Sequence, residues 1–431
     1  VTAPHLPTAG LMPETPLAVE KTVVRSWKTP IALTVFTVLY ALLMLFAPRG
    51  GTTTFRLSTQ ADLIQLPDLQ VPVGPTVWVC FVLLALLTLA SAYFVRAGGR
   101  SPLWVVIVYI VVFVVGFLTW AASGATIPVP GLLAGSLALA VPLIYGALGG
   151  VIGERAGVVN IAIEGQLLAG AFTAAVISSL TKQPFLGLLA AMVAGVLVAA
   201  VLAAFAIKYL VDQVIVGVVL NVLVLGLTGF LFSQVLQPNA AVLNTPVRFD
   251  RIPIPLLSEI PVIGPLLFRQ TIIVYIMYVA VALVYVGMFH TRWGLRLRAV
   301  GEHPQAADTV GIKVNSTRFW NVLLAGAIVG LGGTVFTIGN GIAFNKDMTA
   351  GAGFIALAAV IFGQWDPIKA TLAALLFGFA SNLQNTLSVI GSPVPSEFML
   401  MLPYLVTIFV VAGVVGKSRA PAADGKPYIK G

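Results

Sequence analysis

Long apolar runs, recurring from residue 31 to residue 416, constrain this chain more than any other feature. A helix needs about 20 largely apolar residues to cross a hydrocarbon layer roughly 30 Å thick. Inside that layer every backbone N–H and C=O must be paired within the protein, which leaves helices or a closed barrel. A barrel requires polar and apolar residues to alternate with period two, and these runs are continuously apolar. Composition agrees, with 59% hydrophobic and only 9% charged residues, against about 25% charged in soluble domains. The expected fold is therefore an all-α polytopic membrane protein.

Helical spans are predicted at about 31–47, 77–96, 102–124, 131–152, 160–180, 185–210, 214–236, 271–290, 319–341, 351–364, 369–388 and 398–416, twelve in all. Residues 1–29 are polar, contain several prolines and lack the small-residue cleavage pattern of a secretory signal. An even number of crossings puts both ends of the chain on one side. With that side taken as cytoplasm, 17 of the 24 Lys and Arg residues fall inside and 7 outside, as the positive-inside rule requires. The net charge of +9 is thus explained by cytoplasmic loops, and nucleic acid is not an expected partner. The single cysteine, Cys80, excludes a disulfide framework. His5, His290 and His303 are scattered and suggest no metal cluster.

Two halves of the chain resemble each other. Tyr145-Gly-Ala-Leu-Gly-Gly150 matches Ile328-Val-Gly-Leu-Gly-Gly333 at an offset of 183, and Pro184 and Pro367 open small-residue helices at the same offset. Glu164-Gly-Gln-Leu-Leu-Ala-Gly-Ala matches Ala352-Gly-Phe-Ile-Ala-Leu-Ala-Ala at 188. The topology makes the repeat inverted, five spans plus five, with two additional spans at the N-terminal end. The expected organisation is residues 1–101 as the N-terminal tail and added spans, and 102–416 as a core with repeats 102–236 and 271–416. A Pro-rich outer loop, 237–270, separates the repeats, and 417–431 form a cytoplasmic tail. Inverted halves interrupted by glycines at matching positions point to a transporter with its pathway at their interface.

Polar residues inside such spans are expensive, about 2.5–3.5 kcal/mol for a charge at a helix centre, and so call for a partner or a function. The segment Gly153–Ala175, G-E-R-A-G-V-V-N-I-A-I-E-G-Q-L-L-A-G-A-F-T-A-A, concentrates them. Glu154 and Arg155 read as a solvated pair at a cytoplasmic turn. Asn160 and Glu164, four apart, would share a helical face. Asn160, Glu164 and Gln166 are candidate pathway residues, together with Asn221 and Asn385. Asn221 serves equally as a helix–helix hydrogen bond, and the Ser381–Ser388 face around Asn385 reads first as the end of a span. The second repeat offers the break Asn340–Gly353, with Asn345, Lys346 and Thr349.

The loop R-W-G-L-R-L-R-A-V-G-E-H-P-Q-A-A-D-T-V-G-I-K-V-N-S-T-R, Arg292 to Arg318, carries the densest positive charge in the chain. Pro304 suits the first turn of a short helix, and Gly311 its stop. Gln305-Ala306-Ala307 followed by Gly311 resembles the Ala-Ala-x-x-x-Gly coupling motif of ABC-importer permeases, which inserts into the nucleotide-binding subunit. With G-E-R-A-G-V-V-N-I-A-I-E-G-Q and M-T-A-G-A-G-F-I-A-L-A-A-V-I-F-G-Q-W-D-P, the chain resembles the permease subunits of simple-sugar and nucleoside ABC importers, relatives of ribose and branched-chain amino-acid permeases. The likeness covers about residues 130–416; His303 departs from it, standing where an asparagine is expected.

The resemblance implies a permease in a bacterial plasma membrane, working by alternating access. It implies a cytoplasmic ABC ATPase with two nucleotide-binding modules, an extracytoplasmic solute-binding protein, and a second, paralogous permease. Gly301, Glu302, Ala306, Ala307 and Gly311 would form the ATPase coupling site. Nucleosides lead as the implied solute, ahead of simple sugars and branched-chain amino acids. No catalytic residue, metal or cofactor is expected on this chain, with ATP and magnesium held by the partner ATPase. Gly416-Lys417-Ser418 mimics the end of a phosphate-binding loop, but Val411 occupies the place of its first glycine. A proton-coupled secondary transporter with Glu164 as carrier is the competing class.

Overall fold

A computed structural model describes residues 26–59, 62, 64–99, 101–340, 342–392, 401 and 419–430. The long helices are α1 Lys28–Phe46, α2 Val73–Arg96, α3 Leu103–Ala121, α4 Val129–Arg155, α5 Ile163–Thr181, α6 Pro184–Ala203, α7 Gln213–Leu231 and α8 Ile272–His290. There follow α9 Arg292–Glu302, α10 Pro304–Thr309, α11 Val314–Gly333, α12 Ala352–Phe362 and α13 Pro367–Val389. Short π-helical turns continue α6 to Lys208 and α7 to Leu236. Among the described residues nine helices are long and apolar enough to cross a membrane. The expected span 398–416 and the Gly416-Lys417-Ser418 sequence lie outside the described residues, apart from Met401.

Local chemistry sets several boundaries. Asp212 accepts from Val214 N at 2.8 Å and Ile215 N at 3.2 Å, and Asp366 from Ile368 N and Lys369 N at 3.0 Å, so α7 and α13 are both opened by aspartate caps. Pro184 and Pro367 occupy first helical turns, where a missing N–H costs nothing. Outside the helices the chain forms short strands that periodicity did not announce. Strand β1, Thr52–Arg56, pairs antiparallel with β2, Leu69–Pro72, and parallel with β3, Thr126–Pro128. In the outer loop β4, Arg251–Pro253, pairs antiparallel with β5, Arg269–Thr271.

Burial sorts the helices. The apolar windows of α4 and α5 are 67% buried, whereas that of α2 is 22% buried. The first two therefore form a protein-enclosed centre and α2 presents its surface to lipid. Helices α1 to α3 pack around Tyr40, Leu84 and Tyr109, and touch the rest chiefly through Leu132, Leu383 and Leu387. In the centre, the most extensive contacts are α4 with α13 and α11 with α6. Exchanging α4, α5 and α6 for α11, α12 and α13 turns each of those pairs into the other, and likewise turns the α5–α11 pair into α12–α4. Glycine permits the closest crossing: a Cβ on Gly195 would collide with the carbonyl of Gly326, and one on Gly326 with that of Gly195.

Candidate solute pathway and coupling site

The helix expected from residue 160 begins at Ile163, because the chain from Val158 to Asn160 is irregular. Asn160 and Glu164 therefore do not share a helical face, which corrects the sequence reading. Asn160 instead turns to Gln166. Its Nδ2 donates to Gln166 Oε1 at 3.1 Å, while Gln166 Nε2 donates to Asn160 Oδ1 at 3.4 Å. Both side chains are buried, so this reciprocal amide pair satisfies groups that would otherwise cost about 1–3 kcal/mol each.

Glu164, 8% exposed, faces the opening of α12. Its Oε1 accepts from Thr349 Oγ1 at 2.5 Å and Gly351 N at 2.9 Å, and its Oε2 from Gly353 N at 2.6 Å. Helix N-termini present unpaired N–H groups and a partial positive charge, and a carboxylate there answers both. With 11 residues α12 is about 16 Å long, roughly half the hydrocarbon thickness. A Cβ on Gly353 would run into Glu164 N and lie 2.5 Å from its Cα, so only glycine lets α12 open so near α5. The residue that the repeat aligns with Ala352 thus closes onto the segment around Ala352 itself.

Asn221 completes the same junction from α7, accepting from Gly165 N at 2.8 Å and donating to Ile161 O at 2.8 Å. Gln213 Oε1 accepts from Val159 N at 2.8 Å. Four of the five candidate pathway residues, Asn160, Glu164, Gln166 and Asn221, are therefore brought together around the opening of α5. Asn385 is not: it is exposed on α13 and makes no hydrogen bond among the described residues. Its neighbour Asn382 donates to Leu132 O at 2.6 Å and joins α13 to α4. Sequence reasoning also passed over the role of Thr349 as the hydroxyl donor to Glu164. Its polar side chain within a glycine-rich break was the available signal.

Glu154 and Arg155 overturn the expectation of a solvated pair. Glu154 is 3% exposed and accepts from the indole Nε1 of Trp365. Arg155 donates through Nε to Trp365 O at 3.1 Å and through Nη2 to Gln364 O at 3.4 Å. The turn after α12 presents its carbonyls at positive φ, 54° for both Gln364 and Trp365. Glu302 stands 3.8 Å from Arg155 Nη1, across a half-solvated gap.

Short helix α10 forms where Pro304 and Gly311 predict, and Gly311 sits at φ 84°. Its faces are divided. Gln305, Ala306, Thr309 and Val310 are exposed, Val310 at 75%. Ala307 is 3% exposed and packs inward with Val300, Val314 and Tyr428. Gly301 lies against the end of α4, where a Cβ would strike Arg155 O. Helix α11 begins at Val314, five residues earlier than expected, and so takes in Arg318 as a buried residue, 2% exposed. That guanidinium is neutralised by neither sequence neighbour but bonded by backbone carbonyls of the tail, a partner no local pattern reveals.

The family model described as the permease component of branched-chain amino acid transport systems matches residues 132–411. The guanosine ABC transporter permease protein NupQ of Bacillus subtilis is 43% identical over 311 residues, covering 69% of this chain and 95% of NupQ. The nucleoside ABC transporter permease protein NupC of Lactococcus lactis is 40% identical over 312 residues, 69% of this chain and 96% of NupC. A second guanosine permease of Bacillus subtilis, NupP, is 27% identical over 294 residues, 66% of this chain and 83% of NupP. No solved structure is a significant match.

Proposed function

Since this chain belongs to the family of permease components of branched-chain amino acid transport systems, we propose that it is the membrane-spanning permease of an ATP-driven importer of nucleosides. The observation that carries the nucleoside assignment is its 43% identity to a guanosine transporter permease along nearly all of that protein's length. ATP is hydrolysed by a separate cytoplasmic subunit, and an extracytoplasmic binding protein delivers the solute. The second permease is a paralogue, a reading supported by NupQ and NupP, two different guanosine ABC transporter permeases of one organism. The site is the bacterial plasma membrane, with both ends of the chain in the cytoplasm. The gathering of Arg155, Arg298, Arg318 and the tail at one end of the bundle supports that orientation.

Alternating access would open and close the junction where α5 and α12 meet. Glu164, Asn160, Gln166 and Asn221 brace its two sides, and the solute passes beside them. Three donors on the Glu164 carboxylate favour this bracing role over the competing role of proton carrier. The exposed face of α10, Ala306 and Val310 among it, seats in the ATPase. Because Ala307 turns inward, Ala306 takes its place as the residue that meets the partner.

The test is uptake of labelled guanosine, ribose and leucine into vesicles holding this chain with its paralogue, ATPase and binding protein. Guanosine should accumulate with ATP and in the presence of a protonophore, and Ala306→Asp should abolish it without loss of membrane insertion. Uptake that survives ATP depletion and collapses with the protonophore would replace the reading by secondary transport.

A further inference from the structure

The C-terminal segment is bound to all three helices of the coupling region, α9, α10 and α11. Ala423 N donates to Gly301 O at 2.9 Å, at the end of α9, and Ala422 N to Glu302 Oε2 at 3.2 Å. From α11, Arg318 Nη1 donates to Lys426 O at 2.8 Å and Nη2 to Ala423 O at 3.4 Å. Tyr428 is buried against Val300, Ala307 and Val314, so that α9, α10 and α11 each contribute to its seat. On the opposite side the segment touches the turn after α4. A Cβ on Gly157 would lie 3.1 Å from Ala423 O, and one on Gly425 3.4 Å from Val159. Val159 is the residue whose N–H Gln213 receives, one position before Asn160.

We propose that residues 421–428 are a strap that couples the ATPase-contacting helix α10 to the opening of α5, with Arg318 and Tyr428 as its positioning residues. The inference rests on the reading of the chain as an ATP-driven permease. The physical argument is continuity. Helix α10 is two turns long and α9 is joined to α4 by the close approach of Gly301 and a half-exposed pair, Arg155 with Glu302. The exposed ion pair adds little to that joint. The strap adds backbone hydrogen bonds to α9, a buried guanidinium to α11 and an aromatic wedge to α10. It also lies on the 157–159 turn, whose next residues hold the Asn160–Gln166 pair. A push on α10 therefore moves the strap, and the strap bears directly on the segment that opens α5. Asp424 Oδ1 is buried without a hydrogen-bond partner among the described residues. Burial pushes the Asp424 carboxyl up to about 7, against the lowering by the Gly425 backbone bond and the Arg318 charge. Around it stand Arg318 from α11 and Glu154 from α4.

The experiment uses the complete complex in vesicles, with guanosine-loaded binding protein as the stimulus. Membrane insertion, co-purification of the ATPase, and the ratio of stimulated to unstimulated ATP hydrolysis are measured for the full chain, a chain ended after Ser418, Tyr428→Ala and Tyr428→Phe. The ratio should fall about tenfold for the shortened chain and for Tyr428→Ala, within the range typical of allosteric couplings. Tyr428→Phe keeps the aromatic wedge but gives up the hydroxyl's bond to Asp308 of α10, and should keep most of the ratio. All variants should retain the ATPase, because the exposed face of α10 is unchanged. A wild-type ratio in Tyr428→Ala overturns the strap even if the shortened chain does not insert. Equal loss in Tyr428→Ala and Tyr428→Phe overturns it too, since the wedge is then not what matters. Absence of stimulated hydrolysis in the unaltered complex would instead overturn the importer reading on which the strap rests.

Discussion

The openings of α5 and α12 meet at one junction and bring opposite chemistry to it. The opening of α5 contributes side chains: Asn160 and Gln166 pair with each other, and Glu164 reaches across. The opening of α12 contributes backbone, with Gly351 N and Gly353 N aimed at that carboxylate and only Thr349 adding a side chain. Backbone conformation differs accordingly. Asp347, Ala350 and Gly351 all take positive φ before α12, at 51°, 45° and 83°. Ahead of α5, from the end of α4, only Gly157 does so, at 84°. Related packing has thus been kept in both halves, while the polar groups have become complementary instead of alike. An acceptor in one half and donors in the other can close a junction that two identical halves could not.

The largest expected effect breaks that complementarity outright. Glu164→Leu leaves Thr349 Oγ1, Gly351 N and Gly353 N without their acceptor. At about 1–3 kcal/mol for each buried orphan the loss exceeds roughly 3 kcal/mol, about a hundredfold in an equilibrium. Guanosine uptake should fall to that extent in vesicles where the complex still assembles, and unchanged uptake would show the carboxylate to be dispensable to the junction. Next comes Asn221→Leu, which strands Gly165 N and Ile161 O on the α5 side only. About 2 kcal/mol should be lost, visible as a lower midpoint of thermal unfolding in detergent.

Comparing two glycines sharpens the difference between the halves. Gly353→Ala drives a methyl into the Glu164 backbone, which has nowhere to go, and should cost about 1–3 kcal/mol as overpacking does. Gly165→Ala meets Asn221 Oδ1 at 3.1 Å and backbone atoms at 3.4 Å, a looser approach than the 2.5 Å to Glu164 Cα at Gly353, so its thermal shift should be the smaller of the two. Equal shifts would mean that α12 is free to move back from α5. Smallest of all is Asn385→Ala, on the exposed face of α13, expected to change unfolding by no more than about 0.5 kcal/mol. A large loss of uptake there, without loss of stability, would restore Asn385 to the pathway.

What the sequence determined by itself follows from periodic and local rules. Apolar run length placed the helices of the membrane core. Pro304 and Gly311 marked the limits of α10, because a missing N–H and a left-handed backbone are properties of single residues. The contacts among α4 to α6 and α11 to α13 follow the order in which the offsets of 183 and 188 align those segments. Which partner each polar side chain takes was decided only in the folded molecule. Glu164 finds donors 185 to 189 residues away, Arg155 finds the carbonyls of Gln364 and Trp365, and Arg318 those of Ala423 and Lys426. Every one of these bonds ends on or comes from a backbone group, except the Thr349 hydroxyl. Backbone groups are the same at every position, so nothing in the residue letters distinguishes the carbonyl that will be left free from the many that will not. Tertiary packing makes that distinction, by ending helices beside particular side chains.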